Sequence, residues 1–205
     1  PLERGFINSE SISGKIIGKK GAKALVVNAT GLSEYRYDAY KENEDYFKEL
    51  YEQYDFLVSS QGKSPCGDFA YKVVNNYDSL TKWLSQDKNN LAVIVTIEGA
   101  HVFGSGLDSS MNKNPKELES TLLLNIKKVK AWEYPPFFIT FAHHFWNQLC
   151  GHATTLPRTT KLFCNQKKGL DTGFTSLGKK VLNELLSTKN GKRILIDIRH
   201  MSIEA

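Results

Sequence analysis

Side chains that can bind a metal ion or carry a proton follow three apolar segments of this sequence, at the point where each segment ends. Glu98 comes after the first segment, His143 and His144 after the second, and His200 after the third. A carboxylate and imidazoles together suit zinc, and each can also act as an acid or a base. In a barrel of parallel strands all carboxyl ends meet at one mouth, where such enzymes place their active sites. The spacing therefore predicts that these residues converge in a single site.

Apolar strands and amphipathic helices alternate along much of the chain. The predicted strands are 69–74, 91–97, 137–141 and 194–198, and the predicted helices are 33–60, a short one near Asp78, one that begins at 114–117, and 175–186. The strands are apolar throughout rather than alternately apolar and polar, which favours a parallel sheet with helical crossovers. We therefore predict an α/β fold.

Several predicted helices carry start signals. Asn114 is placed to cap one helix, with Pro115 at its first position and Glu117 completing a capping box. Asp78 is the predicted cap of the short helix, and Thr175 begins the last one. The apolar stripes predicted to face the core are Leu118, Leu122, Ile126 and Val129 on one helix and Leu177, Val181, Leu182 and Leu185 on the other.

Composition places the chain among globular proteins. Of 205 residues, 40% are hydrophobic and 24% are charged, which excludes a disordered or collagen-like chain. No apolar run reaches the roughly 18–20 residues that cross a bilayer, so we predict no transmembrane segment. The 27 basic and 22 acidic residues give a net charge of +5, which permits a nucleic-acid partner without requiring one. Three cysteines form neither an even disulfide framework nor a paired metal knuckle, and the compartment stays open.

Four segments, taken in order, resemble the successive signatures of the membrane (renal) dipeptidase family. They are Ile-Glu-Gly at 97–99, Thr-Phe-Ala-His-His-Phe-Trp-Asn at 140–147, the stretch 169–178, and Ile-Asp-Ile-Arg-His-Met-Ser at 196–202. The resemblance implies a metallohydrolase on a TIM-type (β/α)8 barrel with two zinc ions. It also implies that residues 69–205 supply central β/α units of an incomplete barrel. Residues 1–68, with the long amphipathic helix, are then an N-terminal segment packed on that barrel.

The resemblance implies a role for individual residues as well. Glu98 matches the carboxylate that bridges the two zinc ions, and His200 matches a terminal ligand of one of them. His144 matches the catalytic histidine that contacts the substrate and stabilises the tetrahedral intermediate, and Asn147 is assigned to substrate binding. His143 is the second choice for the role of His144, because it breaks the spacing to Asn147. The substrate is then a dipeptide or small amide, cleaved by metal-activated water.

Several residues typical of that family are missing from this sequence. No His-x-Asp pair occurs anywhere, and the further histidine, arginine and aspartate that complete the family's site come from later strands. Ala100 stands where a second glycine is usual, and the loop 146–172 is long and carries basic residues, which indicates an altered substrate pocket. We therefore expect a fragment of a longer enzyme, and we expect this chain alone to be inactive.

Other functions stay open at this point. A barrel that has lost metal ligands could instead bind a small molecule or a protein through the same mouth. Residues 16–25 resemble the G-x-x-G loop of a KH domain, but the acidic helix that follows would repel a phosphate backbone, so we do not expect RNA binding. His101 and His152 are further ligand candidates, Asp197 and Arg199 are expected to form a salt bridge, and a homo-oligomer is left open.

Overall fold

The computed structural model describes residues 24–30, 45–64, 67–106, 110, 113–154 and 166–205. The strands are β1 (Ala24–Thr30), β2 (Gly62–Lys63), β3 (Ala70–Val73), β4 (Asn90–Glu98), β5 (Phe138–Thr140) and β6 (Leu195–Asp197). The helices are α1 (Tyr46–Ser59), α2 (Tyr77–Gln86), α3 (Pro115–Lys130) and α4 (Ser176–Leu186), with a 3₁₀ helix at Ala100–Phe103. Residues 16–23 of the KH-like segment and residues 33–44 of the predicted first helix lie outside the described residues.

A single sheet with strands in the order β2-β3-β4-β5-β6 forms the centre of the fold. Strand β1 pairs with β4 as well, so two strands from the first 68 residues, β1 and β2, belong to this sheet. All pairings are parallel except the one between β2 and β3. The predicted α/β fold with a mostly parallel sheet is therefore confirmed.

The register of three strands brings their carboxyl ends level with one another. Glu98 of β4 lies opposite Thr140 of β5, and Thr140 lies opposite Asp197 of β6. Strand β4 has nine residues rich in valine and isoleucine, and only Ile94 and Glu98 are partly exposed. The prediction that this strand is buried on both faces is confirmed. The chain that follows each of the three strands therefore emerges at the same edge of the sheet.

Side-chain caps begin the helices that cross between these strands. Asn114 accepts a hydrogen bond from the backbone nitrogen of Lys116 at 2.9 Å, ahead of Pro115 at the start of α3. Thr175 lies at the predicted start of α4, and its side chain caps this helix. The cap predicted for α2 is wrong: Asn76, not Asp78, accepts the bond from Ser79. Both residue types can cap, and the chain is already extended at Asn76.

The predicted apolar stripes of α3 and α4 face the core. All four residues of the α3 stripe are buried, and Val181 and Leu185 of α4 join the same cluster. Helix α1 contributes Leu50 to this cluster and Leu57 to a smaller one under β3 and β4. Tyr51, predicted from its spacing to share that face, is 52% exposed. Among the described residues, no helix is both long and apolar enough to cross a membrane.

Strand β6 is less covered than its apolar sequence predicts. It ends the sheet path and pairs with β5. Leu195 is 41% exposed, and Ile198, just beyond the strand, is 74% exposed. Burial on both faces therefore holds for the central strand β4 and not for β6, because a strand at the end of a sheet has fewer neighbours.

We expect Leu122→Ala to lower the free energy of unfolding by about 2–5 kcal/mol, since it removes a fully buried side chain and leaves a cavity. Leu124→Ala is the matched control on the same helix, because Leu124 is 54% exposed. Its expected effect is within about 0.5 kcal/mol. Urea unfolding followed by circular dichroism measures both, and equal losses would contradict the placement of α3 on the core.

Candidate metal centre

The carboxyl edge of the sheet brings the predicted acid and imidazole side chains together. Glu98 is the last residue of β4, while His143 and His144 follow β5 and His200 follows β6. The Nε2 atoms of His143 and His200 lie 3.6 and 3.7 Å from the same oxygen of Glu98, its Oε1. One possible ligand atom from each of His143, His144 and His200 lies within 4.8 Å of the other two. The three strand ends thus supply a compact cluster.

Backbone geometry around Glu98 and His200 is specialised. Gly99 has φ +92°, and its nitrogen donates to the carbonyl of Thr140 at 2.8 Å, which turns the chain out of β4. A Cβ at Gly99 would lie 2.2 Å from Cε1 of His101, so a glycine is required on steric grounds too. His200 has a φ angle of +64°, which residues other than glycine rarely adopt. Such unusual backbone conformations cluster at functional sites.

The cluster favours an ionised carboxylate. The pKa of Glu98 is lowered from its usual value, mainly because the ring of His143 faces it, while burial acts in the opposite direction. His200 and Arg199 add smaller electrostatic contributions that also lower this pKa. Glu98 is therefore negatively charged at neutral pH and available to a cation.

Two imidazoles of this cluster, those of His144 and His200, have pKa values that favour their neutral forms. The pKa of His144 is lowered to about 4, mainly by burial and to a smaller extent by the neighbouring His143 and His200. Burial and the neighbouring His143 also lower the pKa of His200. Neutral imidazoles have a free nitrogen lone pair, which is the form that binds metal ions. In addition, the Nδ1 atom of His143 is buried and has no hydrogen-bond partner in the described part of the chain.

The side chain of Asn147 forms hydrogen bonds with the backbone of its own loop. Its side chain is fully buried, and its nitrogen donates to the carbonyl of Phe141 at 2.9 Å. Its oxygen accepts from the backbone nitrogens of Leu149 and Cys150 at 2.9 and 3.1 Å. These contacts shape the turn after β5. The role of Asn147 in substrate binding stays a prediction, and the contacts that the structure shows are of another kind.

His101 and His152, the two further ligand candidates, make contacts outside the cluster of His143, His144 and His200. His101 is buried in the 3₁₀ helix, with its ring 4.8 Å from that of Phe145 and 6.0 Å from that of His143. Both ring nitrogens of His152 lie against carbonyl oxygens, of Ala153 at 3.2 Å and Lys168 at 3.0 Å. His152 therefore joins two loops, and His101 packs behind His143.

Arg199 is oriented by a carboxylate at the end of β6. Its Nε lies 2.6 Å from Oδ2 of Asp197, so the predicted salt bridge is confirmed. Thr140 also donates to Asp197, at 3.0 Å. Burial tends to raise the pKa of Asp197, but the hydrogen bonds from Arg199 and Thr140 outweigh it and the pKa is lowered. The pair fixes the chain just before His200.

Sequence reasoning missed Gln166, which contacts the cluster from the long loop. Its Nε2 donates to the backbone carbonyl of His144 at 2.6 Å. The side chain is 9% exposed, and its oxygen is buried with no hydrogen-bond partner in the described part of the chain. A single glutamine within a basic loop carries no pattern from which this contact could be predicted.

Comparison with known proteins assigns no family: no protein-family model matches this sequence, and no curated protein matches it. The roles of the cluster residues are therefore argued from their chemistry and their geometry.

We expect Gly99→Ala to be more destabilising than Gly62→Ala. Both glycines have left-handed backbones, with φ +92° and +129°, so both substitutions introduce backbone strain. Only at Gly99 does the new Cβ collide with a ring, whereas nothing lies within 4 Å at Gly62. The collision should add about 1–3 kcal/mol of lost unfolding free energy. Equal losses in urea unfolding would show that the ring of His101 moves aside freely.

The metal-free protein should lose thermal stability as pH falls from about 6.5 towards 4. The pKa of His144 is about 4 in the folded chain against an ordinary value of 6.5. The unfolded chain therefore takes up this proton first, and protonation favours unfolding across that window. His144→Gln should flatten the fall in melting temperature, measured in the presence of a chelator at several pH values. Parallel curves for the two proteins would contradict the burial of a neutral His144.

Proposed function

We propose that this chain carries the metal-binding part of a zinc-dependent hydrolase that cleaves a dipeptide or a similar small amide. The observation that supports it is the meeting of Glu98 with three histidines at the carboxyl ends of three successive strands. The order of these residues agrees with the resemblance to the membrane dipeptidases, from which the substrate class is taken. The TIM-type (β/α)8 barrel and the second zinc ion belong to the same proposal.

The spacing of the donor atoms suits a shared cation better than direct hydrogen bonds. The distances from Glu98 to His143 and His200, 3.6 and 3.7 Å, exceed those of ordinary hydrogen bonds. Two ligands of a tetrahedral zinc ion, each about 2.0–2.2 Å from it, are about 3.4 Å apart. We therefore propose Glu98 and His200 as ligands, as the resemblance implies, and add His143 to the set.

His144, the remaining histidine of the cluster, is suited to donate a hydrogen bond to the substrate. Bound zinc supplies an activated water and polarises the scissile carbonyl. His144 is neutral near pH 7 because burial lowers its pKa to about 4, so it keeps one ring N–H at that pH. In the proposed site this N–H donates to the substrate oxygen as negative charge develops there. Glu98 supplies the negative charge that favours cation binding.

Metal binding tests this proposal directly. The chelator-treated chain, titrated with Co²⁺ as a spectroscopic substitute for zinc, should bind at least one ion per chain. Glu98→Ala and His200→Ala should each weaken binding by at least about tenfold, because even the outer partners of metal ligands contribute about 10–100-fold. Cobalt absorption and metal content by mass spectrometry measure both.

The matched control is Glu119→Ala, which also removes a carboxylate. Glu119 pairs with Lys180 across α3 and α4, at 2.7 Å. Its loss should leave the cobalt affinity unchanged. A chain that binds no metal after loading would contradict the hydrolase proposal, and the histidine cluster would then be structural.

A further inference from the structure

Gln166 presents an unfilled acceptor next to the histidine cluster. Its amide nitrogen donates to the carbonyl of His144 at 2.6 Å, and its oxygen is buried without a partner in the described residues. The orientation of the amide follows from this contact, because the reversed amide would set oxygen against oxygen. The atom without a partner is therefore the oxygen, which is an acceptor. It belongs to the same side-chain amide group whose nitrogen donates to the backbone carbonyl of His144.

A buried acceptor without a partner is costly, because it has lost its hydrogen bonds to water. Most buried polar atoms in proteins are satisfied, so an exception requires an explanation such as a ligand. A second observation agrees with a ligand here. The adjacent cluster of His143, His144 and His200 can hold a metal ion and contains a further unpartnered buried nitrogen.

The segment after Gln166 is anchored at two places. The ring of His152 lies 3.0 Å from the carbonyl of Lys168, and the backbone nitrogen of His152 donates to Gly169 at 3.1 Å. Gly169 packs against the ring of Trp146 so closely that a Cβ would lie 2.1 Å from it. The chain just after Gln166 is therefore held in place by the fold before any ligand arrives, as binding sites require.

We infer that the oxygen of Gln166 accepts an N–H group of the substrate and so selects amides over esters. The inference rests on the proposed function, which places an amide-cleaving site at this cluster, and it deepens that function by assigning a specificity-determining residue. A peptide bond offers an N–H next to its carbonyl, whereas an ester offers only an oxygen there. An ester would leave the buried acceptor of Gln166 unfilled.

Calorimetry with two ligands tests this inference on the zinc-loaded chain. The ligands are L-alanyl-L-alanine and the ester counterpart in which oxygen replaces the peptide N–H. We expect the amide to bind about fivefold more tightly than the ester, the typical net value of one hydrogen bond. Gln166→Met, similar in length but without an acceptor, should reduce this ratio to one while the affinity for the ester stays unchanged.

A second variant separates the acceptor of Gln166 from its contact with His144. Gln166→Lys keeps a donor for the carbonyl of His144 but has no acceptor, so the amide preference should be lost in it as it is in Gln166→Met. Melting temperatures establish that each variant is folded. If Gln166→Met weakens both ligands equally, or if the original chain shows no amide preference, the inference is overturned and Gln166 only positions His144.

The two proposals can fail separately. A chain that binds no zinc contradicts the hydrolase proposal, yet the same pair of ligands can be compared on the metal-free chain, because the acceptor of Gln166 needs no metal. An amide preference there, lost in Gln166→Met, would still support the inference. Zinc binding without any amide preference would overturn the inference alone.

Discussion

The parallel register at the carboxyl ends of β4, β5 and β6 is the constraint on which the rest of this structure depends. With Glu98, Thr140 and Asp197 level, the next few residues of each connection must share one small volume. Ile97 of β4 pairs with Ile139 of β5 and both side chains are fully buried, so the register is held where the two strands pack together. The chemistry at the edge is thus a consequence of packing in the sheet.

Bringing these ionisable side chains together has an electrostatic cost for the fold. Three imidazoles within a few ångströms repel one another when protonated, and burial lowers the pKa of His144 and of His200. Glu98 offsets part of this cost through its contacts with His143 and His200. A divalent cation would offset more, since it converts neutral lone pairs into bonds.

Helix start signals and the spacing of apolar residues were enough to predict much of this fold. Asn114 and Pro115 identify the start of α3, and runs of apolar residues identify the strands of a parallel sheet. Both signals can be read from residues that are close together in the sequence. The cap of α2 and the contacts of Asn147 depend on the path of the backbone, which the residue types alone do not fix. The contact of Gln166 with His144 joins distant parts of the chain. Such a pairing needs the fold first.

The uncovered side of β6 bears on how this protein behaves in concentrated solution. Leu195 and Ile198 expose large aliphatic groups beside a strand that ends the sheet path. Edge strands of this kind pair readily with other chains, and natural proteins usually protect them with charge, proline or a covering segment. Self-association that rises with concentration would begin at this strand.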